Sequence, residues 1–248
     1  MIYHGDCLEI MPTLADKSVD MILCDLPYGT TACKWDIIIP FEPLWKQYKR
    51  LIKDNGAIVL TASQPFTSAL VMSNPGWFRY EWIWEKTKAS LFQHANKMPM
   101  KGHENILVFY NKLPLYNPLK VFTGIKDSRK TFSTRKNNED FTKGNLMVKV
   151  REDDGYRFPV TIIKVNNSDK TNLLHPTQKP VALFEYLIKT YTSEDDTVLD
   201  NCAGSFTTAI ACINTKRQYI CIEKDEKYFE IGKKRIAEWL DKKSSELF

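Results

Sequence analysis

The sequence has few of the residues that announce a metal or a covalent framework. Its six cysteines (Cys7, Cys24, Cys33, Cys202, Cys212, Cys221) include no Cys-x-x-Cys pair, and its four histidines are scattered. Neither a disulfide scaffold nor a zinc site is signalled, so the thiols are expected in the core and no metal is expected. No apolar run approaches the roughly eighteen residues of a membrane span, and the opening "MIYHGDCLEIMP" lacks a basic stretch followed by an apolar core. No membrane partner is implied, and the cytoplasm is the default compartment. The dinucleotide pattern G-x-G-x-x-G is missing, as are internal repeats and low-complexity tracts.

The 248 residues, 43% hydrophobic and 26% charged, read as a globular chain long enough to bury a sizeable core. Length suits one domain with an insertion, or two small ones. The net charge of +5 is unevenly placed: Asn111 to Asn172 carries nine Lys and four Arg against seven acids, so the remainder is close to neutral. A polyanion footprint has that form, and so does a solvated loop.

Two apolar runs end in an acid followed by turn residues: "VDMILCD" before "LPYG", and "TVLD" before "NCAGS". Between them, "EPLWKQYKRLIKDNG" places Leu44, Trp45, Tyr48, Leu51 and Ile52 on one helical face, with Gly56 expected just past the helix end; "GAIVLTAS" then reads as a buried strand. "YEWIWEK" and "NILVFYNK" are further strands, with the row Tyr80, Trp82, Trp84 expected to pack in the core. Residues 111–174 lose this regularity. Only "PVTIIKVN" there reads as a strand, and the segment is expected to be an insertion outside the main sheet. From "HPTQKPVALFEYLIKTYT" the alternation returns: a helix from Pro180, the strand "TVLD", the helix "TTAIACIN", the strand "RQYICIE" and an amphipathic closing helix. The expected fold is α/β, a doubly wound and mostly parallel sheet. Residues 1–110 and 175–248 form its two halves, with 111–174 inserted. In such sheets ligands bind beyond the carboxyl ends of the strands, where both acids fall.

In "VLDNCAGSFTTAIAC" a small-residue turn joins a strand to a helix, and Glu223 ends the next strand 23 residues after Asp200. A nucleoside-binding β-α-β unit has this layout, with the second acid on the ribose hydroxyls. Phe206, where a second glycine would stand, disfavours a dinucleotide.

Taken together, "DLPY" (25–28), "HENILVFYNK" (103–112), "HPTQKP" (175–180), "DNCAGSFTT" (200–208) and "IEKDEKYF" (222–229) resemble, in their order, the β class of amino-group DNA methyltransferases, which use S-adenosylmethionine. The resemblance spans nearly the whole chain. It implies a Rossmann-like methyltransferase fold with permuted motifs, and a target-recognition region in 111–174. The implied activity is N6-adenine methylation on a base flipped out of double- or single-stranded DNA. Asp leading the tetrapeptide favours adenine over cytosine N4, the enzymatic alternative.

The implied roles are these. Asp25, Leu26, Pro27 and Tyr28 form the catalytic corner: the Asp25 carboxylate and Leu26 carbonyl accept from the amino group, Pro27 fixes the turn and Tyr28 stacks on the base. Asp6 meets the cofactor's adenine and Glu223 its ribose. Asp200, Gly204, Ser205 and Thr207 line the methionine side, and Thr177 and Lys179 close over the carboxylate. Several of these have simpler readings: Asp6 as a helix N-cap, Thr177 as the cap of the helix at Pro180, Lys179 as a solvated side chain. His94, Asn96 and Lys97 fall in a loop expected near DNA, and Arg129, Lys130, Arg135, Lys136, Arg151 and Arg157 are expected at phosphates or guanine edges.

Two positions depart from the family's pattern. Cys202 replaces an aromatic and Phe206 a glycine, which admits a third reading, a DNA-binding relative that has lost catalysis. Monomer and homodimer are both open, as are a restriction partner, an orphan regulator and a phage protein.

Overall fold

The computed structural model describes residues 1–31, 33, 35–124, 154–167 and 178–245. In chain order the elements are β1 (Ile2–His4), α1 (Cys7–Ile10), β2 (Val19–Asp25), α2 (Phe41–Leu51), β3 (Ile52–Ala62), α3 (Phe66–Ser73), β4 (Phe78–Ser90), β5 (Lys101–Phe109), β6 (Val121–Phe122), β7 (Tyr156–Arg157), β8 (Ile162–Val165), α4 (Val181–Tyr191), β9 (Thr197–Asp200), α5 (Thr207–Thr215), β10 (Gln218–Glu223) and α6 (Glu226–Ser245).

Eight strands form one sheet in the order β1-β10-β9-β2-β3-β5-β4-β8, and β5 alone runs against its neighbours. This is the doubly wound, mostly parallel α/β architecture expected. Strand alternation divides the core between the two faces. Ile22, Cys24, Ile58 and Leu60 pack beneath the buried side of α2, formed by Leu44, Trp45, Tyr48 and Leu51. Met21, Leu23, Val59, Trp82 and Trp84 face Leu183, Phe184, Leu187 and Ile188 of α4. The tryptophans of the β4 row are core residues, and half-buried Tyr80 shares a 2.8 Å hydrogen bond with Tyr191. Cys7, Cys24, Cys212 and Cys221 are buried.

Three local expectations need correction. Gly56 lies inside β3 and not past the end of α2, which stops at Leu51. The glycine is required there because a Cβ would stand 2.6 Å from the Asp20 carbonyl oxygen and 2.7 Å from the Ile52 side chain. Pro180 is the extended residue preceding α4, one position earlier than its first helical turn. The strand in "PVTIIKVN" is β8, which pairs in parallel with β4 through Ile83↔Ile162 and Trp84↔Ile163 and so belongs to the main sheet. Its shortness hid this, since four residues on a sheet edge carry little periodic signal.

The chain divides into two compact units, Met1–Asn117 with Val160–Phe248, and Pro118–Pro159. In the second, β6 and β7 pair antiparallel, Val121↔Arg157 and Phe122↔Tyr156.

Candidate active site

Chain order along the sheet reverses between β9 and β2: β2 leads outward to β3, whereas β9 leads to β10 on the other side. At such a switch point the connecting helices leave on opposite faces and open a crevice beyond the strand ends. Met21↔Val198 and Ile22↔Leu199 pair the two strands, so Asp25 and Asp200 end adjacent strands at this crevice. Further along the same edge stand Asp6 after β1, Glu223 at the end of β10, Thr61 near the end of β3 and Glu104 in the first half of the reversed strand β5.

The corner after β2 is tightly tied. Asp25 Oδ1 accepts from the Tyr28 hydroxyl at 2.7 Å and from the Thr61 hydroxyl, and Tyr28 also lies 3.0 Å from Thr61 Oγ1. The half-buried Tyr28 ring stacks on Phe66, centroids 5.2 Å apart. Burial and the neighbouring Asp25 carboxylate push the Tyr28 phenol well above its ordinary pKa, so it stays a donor. The Leu26 side chain is in the core, which anchors the turn from inside.

Asp36, which the sequence reading passed over, holds the residues that follow. Its Oδ1 accepts from the Gly29 N–H at 2.8 Å, and its Oδ2 from Thr30 at 2.9 Å and Thr31 at 2.7 Å. One buried carboxylate thereby satisfies three backbone donors of an irregular loop.

Lys179 is not a solvated side chain. It is 7% exposed and its Nζ sits 2.6 Å from Asp25 Oδ2, 3.4 Å from Glu104 Oε2 and 5.5 Å from the Tyr28 ring centroid. Burial lowers its pKa, but Asp25 and Glu104 outweigh that and raise it. The structure thus brings Lys179 to the corner after β2.

On the other side of the switch point, Asp6 is indeed an N-cap: Oδ1 accepts the Leu8 N–H at 2.8 Å, while Oδ2 pairs with Lys224 at 2.9 Å. Glu223 accepts from the Gly204 N–H at 2.7 Å and the Asp225 N–H at 2.8 Å, and burial raises its pKa. Asp200 is 3% exposed and turned into its own loop, accepting from the Cys202 N–H at 3.1 Å and from the Thr208 hydroxyl. Burial pushes its pKa up to about 6. Ser205 and Thr207 are buried as well. Arg235 of α6, also unforeseen, donates to the Ser205 carbonyl at 2.8 Å and to Thr207 Oγ1 at 3.1 Å, and Gln178 accepts from Ser205 Oγ at 2.9 Å. These contacts shape the 200–208 loop.

The departure at Phe206 has a structural reason. Phe206 has φ +59°, the left-handed conformation a glycine adopts freely, so the turn keeps its path. Its ring is fully buried between α5 and α6, edge-on to Phe229 at 5.9 Å, and so lends no aromatic surface to a ligand. Cys202 packs half-buried against the core, with Sγ 3.5 Å from Asn201 Nδ2, and Asn201 Oδ1 accepts from the Tyr48 hydroxyl at 2.6 Å.

His94 and Lys97 are exposed in the loop joining β4 to β5, beside exposed Phe92, Met98 and Met100. Arg157 lies on β7, in the second unit. Thr177, Arg129, Lys130, Arg135, Lys136 and Arg151 lie outside the described residues.

The family model of N6/N4 DNA methylases matches residues 19–234, most of the chain. The protein belongs to that family of DNA methylases. Among curated relatives it is 27% identical to the type II methyltransferase M2.MboI of Moraxella bovis, over 96% of this chain and 87% of that protein. It is 27% identical to the DNA adenine methyltransferase YhdJ of Escherichia coli, over 95% of this chain and 82% of that protein. The solved complex of M1.HpyAVI with SAM is 25% identical, with a TM-score of 0.63, covering 95% of this chain and 98% of that one. The cytosine-N4-specific PvuII methyltransferase shares the fold, with a TM-score of 0.65 over 97% of this chain and 90% of that one at 16% identity. No described helix is long and apolar enough to cross a membrane.

Proposed function

We propose that the protein transfers a methyl group from S-adenosylmethionine to the N6 amino group of adenine in DNA, acting on a base flipped out of the stack. The observation that carries this reading is Asp25 heading a rigid strand-end corner at the switch point. The adenine-specific name of YhdJ and the cofactor in the M1.HpyAVI complex support it.

The nucleoside side fits the residues present. Glu223 and Asp6, acceptors at the ends of adjacent strands, suit the hydroxyl and amino donors of an adenosine. The turn at Gly204, φ +52°, brings backbone rather than side chain toward that space. Bound there, S-adenosylmethionine supplies an electrophilic sulfonium methyl group. Asp200, Ser205, Thr207 and Arg235 hold the turn in shape.

On the target side, the amino nitrogen is a weak nucleophile because its lone pair is delocalised into the ring. Asp25 and the Leu26 carbonyl accept its two N–H groups and favour the pyramidal nitrogen. The freed lone pair then points along the transfer direction, and this positioning carries much of the rate. Tyr28, braced by Phe66, supplies the ring against which an extruded base rests. After transfer the nitrogen is far more acidic than before, and the Asp25 carboxylate beside it is the acceptor for its proton.

His94, Lys97 and the basic residues of 111–174, with Arg129, Lys130, Arg135, Lys136, Arg151 and Arg157 among them, supply the DNA contacts in this reading. The loss-of-catalysis alternative loses one of its two motives, because Phe206 keeps the turn's path and buries its ring. Mass spectrometry of nucleosides from treated, unmethylated DNA tests the proposal. N6-methyladenine is expected, and N4-methylcytosine without it would assign the protein to the cytosine branch.

A further inference from the structure

A carboxylate offers about four acceptor directions. Asp25 Oδ1 is taken by Tyr28 and Thr61, and Oδ2 by Lys179 at 2.6 Å. An amino group arriving at Oδ2 therefore meets a buried ammonium already there. Lys179 has a second acceptor in reach. Glu104 Oε2, 3.4 Å from Nζ, is buried and makes no hydrogen bond among the described residues, while Oε1 is fixed by Lys86 at 2.5 Å. Four charges thus alternate, Asp25, Lys179, Glu104 and Lys86, with side chains 21%, 7%, 12% and 9% exposed. Tyr28 and half-buried Lys101 also face this row, and Cys24 and Asp200 act electrostatically with Asp25.

We propose that Lys179 is a two-position counter-ion: in the free enzyme it rests on Asp25 with Glu104 Oε2 as a longer ion-pair partner, and it closes fully onto Glu104 Oε2 when a substrate amino group engages Asp25 Oδ2. The shift is short, because 3.4 Å needs to close by only a few tenths of an ångström to reach hydrogen-bond length. It keeps the ammonium paired throughout, which matters because an unpaired buried charge is costly. Glu104 is then a positioning residue that acts through Lys179, and Lys86 holds Glu104 with Oε2 turned toward the lysine. The inference rests on Asp25 being the acceptor of the target amino group.

The test is steady-state and single-turnover methyl transfer by the full chain, with S-adenosylmethionine affinity measured by calorimetry. Glu104→Gln keeps the side-chain shape but removes the competing charge, leaving Lys179 on Asp25. It is expected to lower kcat about tenfold, or about 1.36 kcal/mol in the barrier, with cofactor affinity and DNA KM within about twofold of wild type. Lys179→Met is likewise expected to lower kcat while leaving cofactor affinity in place, and Lys179→Arg to recover part of the loss. A purely structural role for Glu104 would lower the melting temperature and leave kcat unchanged in the folded enzyme, which would overturn the proposal. So would a Lys179→Met enzyme with weakened cofactor binding and normal kcat at saturation, because the lysine would then serve the cofactor. If Lys179→Met does not fold, the nearly isosteric Glu104→Gln decides. An active wild type with a normal Glu104→Gln variant removes this inference alone, whereas an inactive wild type removes the reading of the site and the counter-ion with it.

Discussion

Phe206 and Gly232 occupy one volume between them: a Cβ on Gly232 would stand 2.4 Å from the Phe206 ring. Where the family has a glycine at 206, this chain keeps the left-handed backbone and fits the added ring under α6, where residue 232 has no side chain. Left-handed backbone costs a non-glycine residue about 1–2 kcal/mol, and burying a phenylalanine returns about 1.5–3 kcal/mol, so the ring repays the turn. Gly232→Ala is expected to destabilise the protein by about 1–3 kcal/mol through overpacking. In a Phe206→Gly background the same change should cost far less, because the space is open. A double-mutant cycle by thermal or denaturant unfolding measures the coupling, and additive effects would contradict the contact.

Asp36 is expected to matter to activity although its contacts are to the backbone that follows Tyr28. Asp36→Ala leaves the Gly29, Thr30 and Thr31 N–H groups without their acceptor, at a cost of about 2–4 kcal/mol in stability. The loosened turn carries Tyr28, so kcat should fall roughly ten- to a hundredfold, the scale on which misplacing a reacting group acts. Burial raises the Asp36 pKa, but the donations from Thr31, Gly29 and Thr30 outweigh it and the net shift is downward. Its stabilising contribution is therefore present above the ordinary aspartate pKa and lost as pH falls through the lower folded-state value.

Asp200 gives the opposite dependence. Its folded pKa, pushed by burial from 3.8 to about 6, means that the folded state holds a proton the unfolded chain releases across that window. Stability from this group therefore falls as pH rises between those values and is level above them. Asp200→Asn keeps an acceptor for the Cys202 N–H and removes the ionisation. Chemical denaturation should find the variant more stable than wild type by roughly 1–3 kcal/mol at pH 8, with the two converging near pH 4. Equal stability at pH 8 would mean that Asp200 is better solvated than its burial implies.

The strand-end acids were legible in the sequence because a buried strand that stops at a carboxylate breaks its own apolar pattern, as "VDMILCD" and "TVLD" both do. The helix face of Leu44, Trp45, Tyr48 and Leu51 was legible for the same reason of period. Glu104 and Lys179 were not legible as partners of Asp25. A glutamate opening a strand and a lysine before a proline each look solvated until the reversed strand β5 and the approach to α4 bring them together. Thr61 left a trace, a hydroxyl near the end of an apolar run as Asp25 ends its own. Asp36 and Arg235 left none, since Asp36 holds backbone N–H groups of a loop and Arg235 holds a loop carbonyl and the Ser205 and Thr207 hydroxyls, contacts that no periodicity records. Gly56 was misread because a glycine after a helical stripe looks the same whether it ends the helix or admits a neighbouring backbone.

The most direct measurement is transfer of labelled methyl from S-adenosylmethionine to unmethylated DNA by wild type and by Asp25→Ala, with calorimetry of cofactor binding to both. Wild type should label adenine. Asp25→Ala should lose at least a hundredfold in kcat, the scale of a positioned catalytic group, while binding the cofactor with similar affinity. An Asp25→Ala enzyme that still methylates at near the wild-type rate would contradict the central claim that this strand end is where the target amino group is held.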